Sequence, residues 1–377
     1  MGEHLPPVSV VTVNYNHSAY LDAYLKSVLA STYPIAEIII VDNASADNSL
    51  QILNRFDQVK VIQNERNLGY SLALNQAFEF ASSPLVCATG PDVEVEPDWL
   101  EPLVERYLQD PDTTFAVVSQ VITMDRSEIQ SAGSSLHFTG HLNVHEMWKR
   151  VESLDHSGNE SMEVGAVDST SVLFDREKFI AIGGCDPDFF VYHEEFDYCY
   201  RARMRGWRCW YRPQSMVYHG SGTQSFSVRD HGQYPVQRPF VHNRNRLMSI
   251  LKNYQLRTIL GVLPALMIVE FLNVLMLLRL GMLGEYFSAL GWLWRNRQKV
   301  TEKRKRVQPM RCLNDDVILG AEPLTFSPLL FRNPAMKFAK LILDRCLWLY
   351  WQILRKLVYG AVSKISQQSN WLQVRGT

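Results

Sequence analysis

Across residues 8–94 the chain alternates short, continuously apolar runs with segments of helical period, and that alternation restricts it to few architectures. Residues 8–13, 37–41, 59–63 and 85–88 are short and mostly aliphatic, as strands buried in a sheet are. Residues 20–30 and 72–81 repeat apolar positions at helical spacing, which predicts helices between those strands. Strands separated by helices predict a mostly parallel α/β sheet, in which ligands gather at the carboxyl ends of the strands. Asn14, Tyr15, Asn16, Asp42 and Asp92 all fall at such ends.

The first strand runs into NYNHSAYL rather than G-x-G-x-x-G, and the chain has no Walker A sequence. A dinucleotide-binding turn and a P-loop are therefore excluded. Any phosphate bound here needs another counter-charge. A divalent cation held by Asp92 and a histidine distant in sequence would supply it, and His219 is the best-placed histidine.

Residues 183–220 concentrate the remaining chemistry. Glu194, Glu195 and Asp197 stand where a helix should begin, and Arg201, Arg203 and Arg205 where it should end before Gly206. The helix macrodipole favours that order, and Asp197 with Arg201 is a well-oriented i,i+4 pair, so charge complementarity alone accounts for part of the pattern. It does not account for Phe189, Phe190 and Tyr192, which run directly into the acids. A carboxylate partly desolvated by such a frame has a raised pKa and suits proton abstraction. Glu194 and Glu195 would point about 100° apart on the helix, so at most one need face a substrate.

The order VSVVTVNYN, IIIVDNASAD, NERNLGYSLALNQA, GPDVEVEPDWL, GCDPDFFVYHEEFDYCYRARMRGW and VYHG closely resembles bacterial family 2 glycosyltransferases of the rhamnosyltransferase-like kind, over residues 8–254. The resemblance implies a GT-A fold, a nucleotide-sugar donor, a divalent cation and inversion at the anomeric carbon. It places the nucleoside at Tyr15 and Asp42, and the turn of Asn67 and Gly69 near the donor. The acidic metal motif falls on Gly90-Pro91-Asp92, where relatives usually have Asn or Asp at the position of Gly90, so Asp92 is the main carboxylate ligand and Glu94 a substitute. The downstream metal-ligand histidine matches His219. The general base corresponds to Glu195, one methylene longer than the family's aspartate. The implied cofactor is Mn2+ or Mg2+, the donor a UDP- or dTDP-sugar, and rhamnose the family-level sugar. An in-line displacement of this kind needs a carboxylate to take the acceptor hydroxyl's proton and a cation to stabilise the leaving diphosphate; it needs no Ser or Cys nucleophile.

Residues 131–163 show no clear period, as a substrate-binding loop region would, and His137, His141, His145 and His156 match no compact metal spacing, so they read as loop residues. Asp168 has two readings, an acceptor-hydroxyl ligand and a capping residue. Trp99, Trp207 and Trp210 read as packing.

After residue 254 the character changes, dividing the chain into a catalytic domain at 1–254 and a helical, membrane-associated region at 255–377. HNRNRLMSILKNYQLR predicts a basic helix, akin to the Arg-Asn-Arg stretch after the catalytic half in relatives. Residues 258–278 are long and apolar enough to span a bilayer, yet contain Glu270 and Asn273 on one face and Pro264 inside. RNRQKVTEKRKRV suits an anionic, cytoplasmic membrane surface. MKFAKLILDRCLWLYWQILRKLVYGAV has one broad apolar face, with Lys337, Lys340, Asp344, Gln352 and Arg355 opposite and Trp348, Tyr350 and Trp351 suited to an interface. The expected attachment is in-plane, on the cytoplasmic face of the cell membrane; burial of these faces within a soluble subdomain or a homo-oligomer is the alternative. Lys+Arg 38 against Asp+Glu 39 gives no basic bias, so nucleic acid is not an expected partner. Six cysteines without C-x-x-C read as reduced thiols, and MGEHLPPVSV has no basic-then-apolar signal. The expected partners are a nucleotide sugar, a glycan or lipid-linked acceptor and the membrane surface. Alternative functions are an inactive nucleotide-sugar-binding scaffold and a processive polysaccharide synthase, although the chain has no Q-x-x-R-W run.

Overall fold

A computed structural model describes residues 5–153, 160–220, 237–326 and 333–360. His156 lies outside the described residues. The first part runs β1 (Val8–Asn14), α1 (Ser18–Leu29), β2 (Ile35–Asp42), α2 (Ser49–Leu53), β3 (Val59–Gln63), α3 (Tyr70–Phe80) and β4 (Leu85–Thr89). The predicted alternation is thus present, with bounds moved by one to two residues. Next come β5 (Val93–Val95), α4 (Glu101–Gln109), β6 (Thr114–Thr123), β7 (Ile129–Ser131), β8 (Ser134–Leu136), β9 (Leu142–Val144), β10 (Met162–Val164) and β11 (Ser171–Asp175). Then follow α5 (Arg176–Ala181), α6 (Glu194–Met204) and β12 (Arg208–His219). The remainder is helical: α7 (Gln237–Asn253), α8 (Leu256–Arg279), α9 (Leu283–Arg295), α10 (Arg297–Val307), α11 (Asp315–Ile318) and α12 (Pro334–Tyr359).

The ten-stranded sheet has the order β10-β12-β6-β11-β4-β1-β2-β3, with β5 on β12 and β7 on β6. Strands β3, β2, β1, β4, β6 and β12 run in one direction and β11 is antiparallel to both its neighbours. Strand order reverses at β1, so the crevice outside its carboxyl end is where a ligand is expected. All seven residues of β1 are buried, because helices cover both faces of the sheet. Side-chain alternation sorts them: Val11 and Val13 join Ile39 and Val41 in one apolar layer, while Val8 and Val10 join Ile38 and Ile40 in the other.

The segment at 131–163, read as a loop, contains the short hairpin of β8 and β9, and β10 pairs with β12. His137 is buried there and its Nδ1 meets Thr139 Oγ1 at 2.6 Å; the Thr139 hydroxyl also meets His141 Nδ1 at 2.9 Å. These histidines form part of the packed structure rather than an open loop.

Residues after α10 return to the sheet-bearing half of the chain. Cys312 N donates to Met204 O (2.7 Å), Tyr200 Oη to Asp315 (2.5 Å) and Gly320 N to Leu136 O (2.8 Å). Helix α8 is tied to α7 through its polar face: Arg246 pairs with Glu270, and Asn273 Nδ2 donates to Asn243 Oδ1 at 2.7 Å. Helix α12 corrects one expectation. Trp351 is 1% exposed and stacks on Phe138 with ring centroids 5.1 Å apart, Tyr350 donates to Gly261 O, and Asp344 is buried against Leu324 N. Of that aromatic trio only Trp348 is exposed, because the stripe through Asp344, Leu347 and Trp351 faces the protein. The basic run is also divided. Lys299 and Lys303 pair with Asp188, and Arg304 donates to Leu251 O and Tyr254 O, which leaves Arg295, Arg297, Lys305 and Arg306 exposed.

Candidate active site

The carboxyl ends of β1 and β2 are joined by side chains. Asp42 is 1% exposed: its Oδ1 accepts from Asn14 Nδ2 (2.8 Å) and its Oδ2 from Ser45 N (3.0 Å). Each carboxylate oxygen retains a second lone pair for a ligand. Tyr15 is half-buried beside this pair, and Asn16 (φ 58°) turns the chain away from the strand. The turn of Asn67 and Gly69 is bound to the same edge, since Asn43 Nδ2 donates to Asn67 Oδ1 (2.9 Å) and Asn67 Oδ1 also accepts from Gly69 N (2.8 Å). The structure therefore brings Tyr15, Asp42, Asn67 and Gly69 to neighbouring strand ends. Gly69 is required twice over: its φ is +83°, and a Cβ would lie 2.6 Å from the Phe190 carbonyl oxygen.

Asp92 and His219 are also brought together. Pairing of β5 with β12 sets His219 opposite Val93, and Gly220 N donates to Asp92 O at 2.8 Å. His219 Nε2 then lies 3.4 Å from Asp92 Oδ1. Its Nδ1 is 2.8 Å from Gln130 Oε1, while Gln130 Nε2 donates to His219 O (3.2 Å). With Nδ1–H given to Gln130, the Nε2 lone pair points to the carboxylate side, which is the tautomer a metal ligand needs. One carboxylate oxygen and one imidazole nitrogen at this separation fit a single Mn2+ or Mg2+ ion. Among the described residues no group of three His, Cys, Asp or Glu gathers there. Gly90 is explained locally, since a Cβ would sit 3.1 Å from Asp92 Oδ1. Glu94 is in β5, paired with Tyr218.

Glu195 stands in the first turn of α6, whose acidic start the sequence predicts. It is half-buried, and Ser169 Oγ donates to its Oε1 at 3.0 Å. Burial raises its pKa, against the lowering effect of its hydrogen bonds. Glu194 is buried, and burial with Glu195 beside it pushes its carboxyl further above the usual range. Asp197 points elsewhere: Arg201 Nη2 lies 2.6 Å away and Lys252 Nζ 2.7 Å away, so it holds the helix rather than lining a site. Asp168 caps Thr170 N (3.0 Å) and accepts from Ser131 Oγ (2.6 Å).

Two consecutive residues link Glu195 to the Gly90-Pro91-Asp92 loop. Ser169 bonds Glu195 through its hydroxyl, and Thr170 O accepts from Gly90 N at 3.0 Å. Glu195 and Gly90-Pro91-Asp92 thus meet the two sides of one short turn before β11.

The model of glycosyl transferase family 2 matches residues 9–183. Over those residues the chain is similar to the family 2 glycosyltransferases. An uncharacterized glycosyltransferase of Haemophilus influenzae is 24% identical over 247 residues, which is 61% of this chain and 71% of the relative. An N-acetylglucosaminyl-diphospho-decaprenol L-rhamnosyltransferase of Mycobacterium tuberculosis is 26% identical over 230 residues, 56% of this chain and 75% of the relative. The crystal structure of GalNAc-T7 with UDP, GalNAc and Mn2+ aligns with a TM-score of 0.52 and 22% identity over 66% of this chain. The chain spans about half of that protein, 48%, and shares with it the GT-A fold. The family match ends before α6, so the placement of Glu195 and His219 is read from geometry.

Sequence reasoning assigned no role to Gln130, Ser169, Asn43 and Asn245. Asn43 and Asn245 lie inside quoted motifs, but the partners of all four are distant in sequence and are set only by the packing of the fold.

Proposed function

We propose that this glycosyltransferase transfers a sugar, rhamnose by family expectation, from a UDP- or dTDP-linked donor to a hydroxyl of a lipid-linked or polysaccharide acceptor, with inversion, at the cytoplasmic face of the cell membrane. The observation that supports the reading is the pair of contacts at Ser169 and Thr170, which tie the Glu195 carboxyl and the Gly90 backbone to the two sides of one short turn.

Tyr15, Asp42, Asn67 and Gly69 would seat the nucleoside and its sugar at the ends of β1 and β2. Asp92 and His219 would hold Mn2+ or Mg2+, which when bound supplies positive charge to the departing diphosphate. Glu195 takes the proton from the acceptor hydroxyl as its oxygen attacks the anomeric carbon on the face opposite the leaving group. Its raised pKa makes it a stronger base than an exposed glutamate would be.

A lipid-linked acceptor draws support from the Mycobacterium tuberculosis relative, whose name specifies a diphospho-decaprenol acceptor and L-rhamnose. In-plane attachment draws support from α8 and α12, whose outward faces expose Leu263, Met267, Phe271, Leu341, Leu349 and Leu357. Helix α8 is the one described helix long and apolar enough to cross a membrane, but Glu270 and Asn273 hold it along α7.

The test is release of nucleoside diphosphate from UDP- and dTDP-sugars, with and without Mn2+ and membrane lipid extract, by the wild type and Glu195→Gln. Metal-dependent release that Glu195→Gln loses is the expected result. Donor binding without release in any condition would overturn the reading in favour of a scaffold.

A further inference from the structure

The chain reaches α6 through an unusual run. Phe190, Tyr192 and His193 all have left-handed backbone, with φ of 65°, 66° and 74°, and none of them is glycine. Such a run persists only where its surroundings hold it, and here four successive carbonyls are held. Asn245, fully buried on α7, directs its Nδ2 at Phe189 O (3.0 Å), Val191 O (3.0 Å) and Tyr192 O (2.7 Å). Phe190 O accepts from Ser71 N at 3.3 Å, in the first turn of α3 behind Gly69. Arg244 completes the arrangement: its Nε donates to Asn245 Oδ1 (2.9 Å), which fixes which way the amide faces, and its Nη2 donates to Phe189 O (2.9 Å).

Residues 189–193 are therefore clamped between the candidate donor turn and the Arg-Asn pair of α7. His193 is the residue before α6 and its side chain makes no capping hydrogen bond, so the run itself sets where that helix starts. We propose that Asn245, oriented by Arg244, is a positioning residue that fixes the 189–193 run and through it the carboxyl of Glu195. This rests on the reading of Glu195 as the base. It assigns to the Arg-Asn-Arg stretch a role that charge alone does not give it, because Asn245 is neutral and touches no acid.

Asn245→Asp keeps the shape but puts a carboxylate against three carbonyls, and Asn245→Ala removes the donor. Both should lower kcat about 10- to 100-fold, the scale that small misplacement of a reacting group costs, with KM for the donor sugar little changed. A second readout needs no substrate: the carboxylic acid carbonyl stretch in the infrared, assigned to Glu195 by its loss in Glu195→Gln, titrated in the full-length protein. Around Glu195 the titratable neighbours are Glu194, Asp168, Tyr70, Cys185, Tyr198 and Cys199. Loosening the run admits water, so the titration should move down towards the ordinary glutamate value in the Asn245 variants.

If Asn245→Ala does not fold, Arg244→Gln, which leaves the amide but frees its orientation, should show the same two changes to a lesser degree. A wild-type Glu195 titration in folded variants, or kcat falling only with the folded fraction, would overturn the proposal. Full turnover by Glu195→Gln would instead remove the base assignment on which it stands.

Discussion

Glu195 has one methylene more than the aspartate of the family it resembles, yet its carboxyl does not swing into open solvent, because Ser169 donates to it and the start of α6 half-buries it. A base must be ionised to accept a proton, so kcat should fall as pH drops through its raised pKa, with the acid limb above the ordinary glutamate value of about 4.3. A kcat–pH profile with its acid limb at or below that value would speak against Glu195. Loss of the base in Glu195→Gln should lower kcat by about 10²- to 10⁴-fold. Gln130 offers a test independent of turnover. Gln130→Leu frees the His219 ring to rotate and change tautomer, so Mn2+ affinity, measured by electron paramagnetic resonance of free ion, should weaken about 10- to 100-fold. Unchanged affinity would detach His219 from the metal. Asp42, Asp92 and Glu195 are legible in the sequence because strand ends and helix starts are local features. Gln130, Ser169 and Asn245 are not, since they meet their partners 89, 26 and 53 positions away.

Among the elements, β1 to β4 and α6 are legible because apolar period and terminal charge are written locally. The hairpin of β8 and β9 is not, since its strands are three residues long and are stabilised by Gly320 and Ala166, far apart in sequence. Helix α7 misleads in another way. The sequence shows it only as a basic helix, whereas Arg244, Arg246 and Lys252 are buried and spent on holding α6, α8 and the 189–193 run. Lys252 Nζ lies 2.6 Å from Asp186 and 2.7 Å from Asp197. Burial alone would raise both carboxyls, but Lys252 with Lys303 and Arg201 outweighs it and keeps them below the usual range. Carboxyls depressed in the folded state contribute stability above their unfolded pKa and lose it as pH falls through the folded one. Lys252→Met, which takes one of two cationic partners from each buried carboxylate, should cost at most about 3–5 kcal/mol in denaturant unfolding at neutral pH. The deficit should shrink in acid as Asp186 and Asp197 protonate; a deficit independent of pH would show that packing, not charge, is what the lysine supplies.

At the scale of the whole molecule, one apolar core cluster runs from β1 through α6 to Trp351 of α12, so the C-terminal helices are packed into the catalytic half rather than hung from it. What they leave outside is apolar: Phe271 is 61% exposed and Leu357 79%. Soluble monomers seldom expose broad apolar faces, so α8 and α12 together call for a cover. A bilayer surface fits better than a span. For α8 to stand across a membrane it would have to release Glu270 from Arg246 and Asn273 from Asn243, exposing a buried guanidinium without its partner. Lying in the plane, it keeps both bonds and presents Leu263, Met267 and Phe271 to the acyl boundary, with the exposed Arg295, Arg297, Lys305 and Arg306 available to anionic headgroups. Two forces with different salt dependence then act together. Sedimentation with vesicles should be stronger for anionic than neutral lipid, and raised salt should remove only the difference between them, since each basic residue near the surface contributes about 1 kcal/mol that screening abolishes while apolar insertion persists. Met267→Glu with Phe271→Glu should abolish binding to neutral vesicles while leaving the metal site intact. If the wild type ignores vesicles and instead forms a dimer that the same substitutions dissociate, a second copy is the cover, and the acceptor need not be held at a membrane.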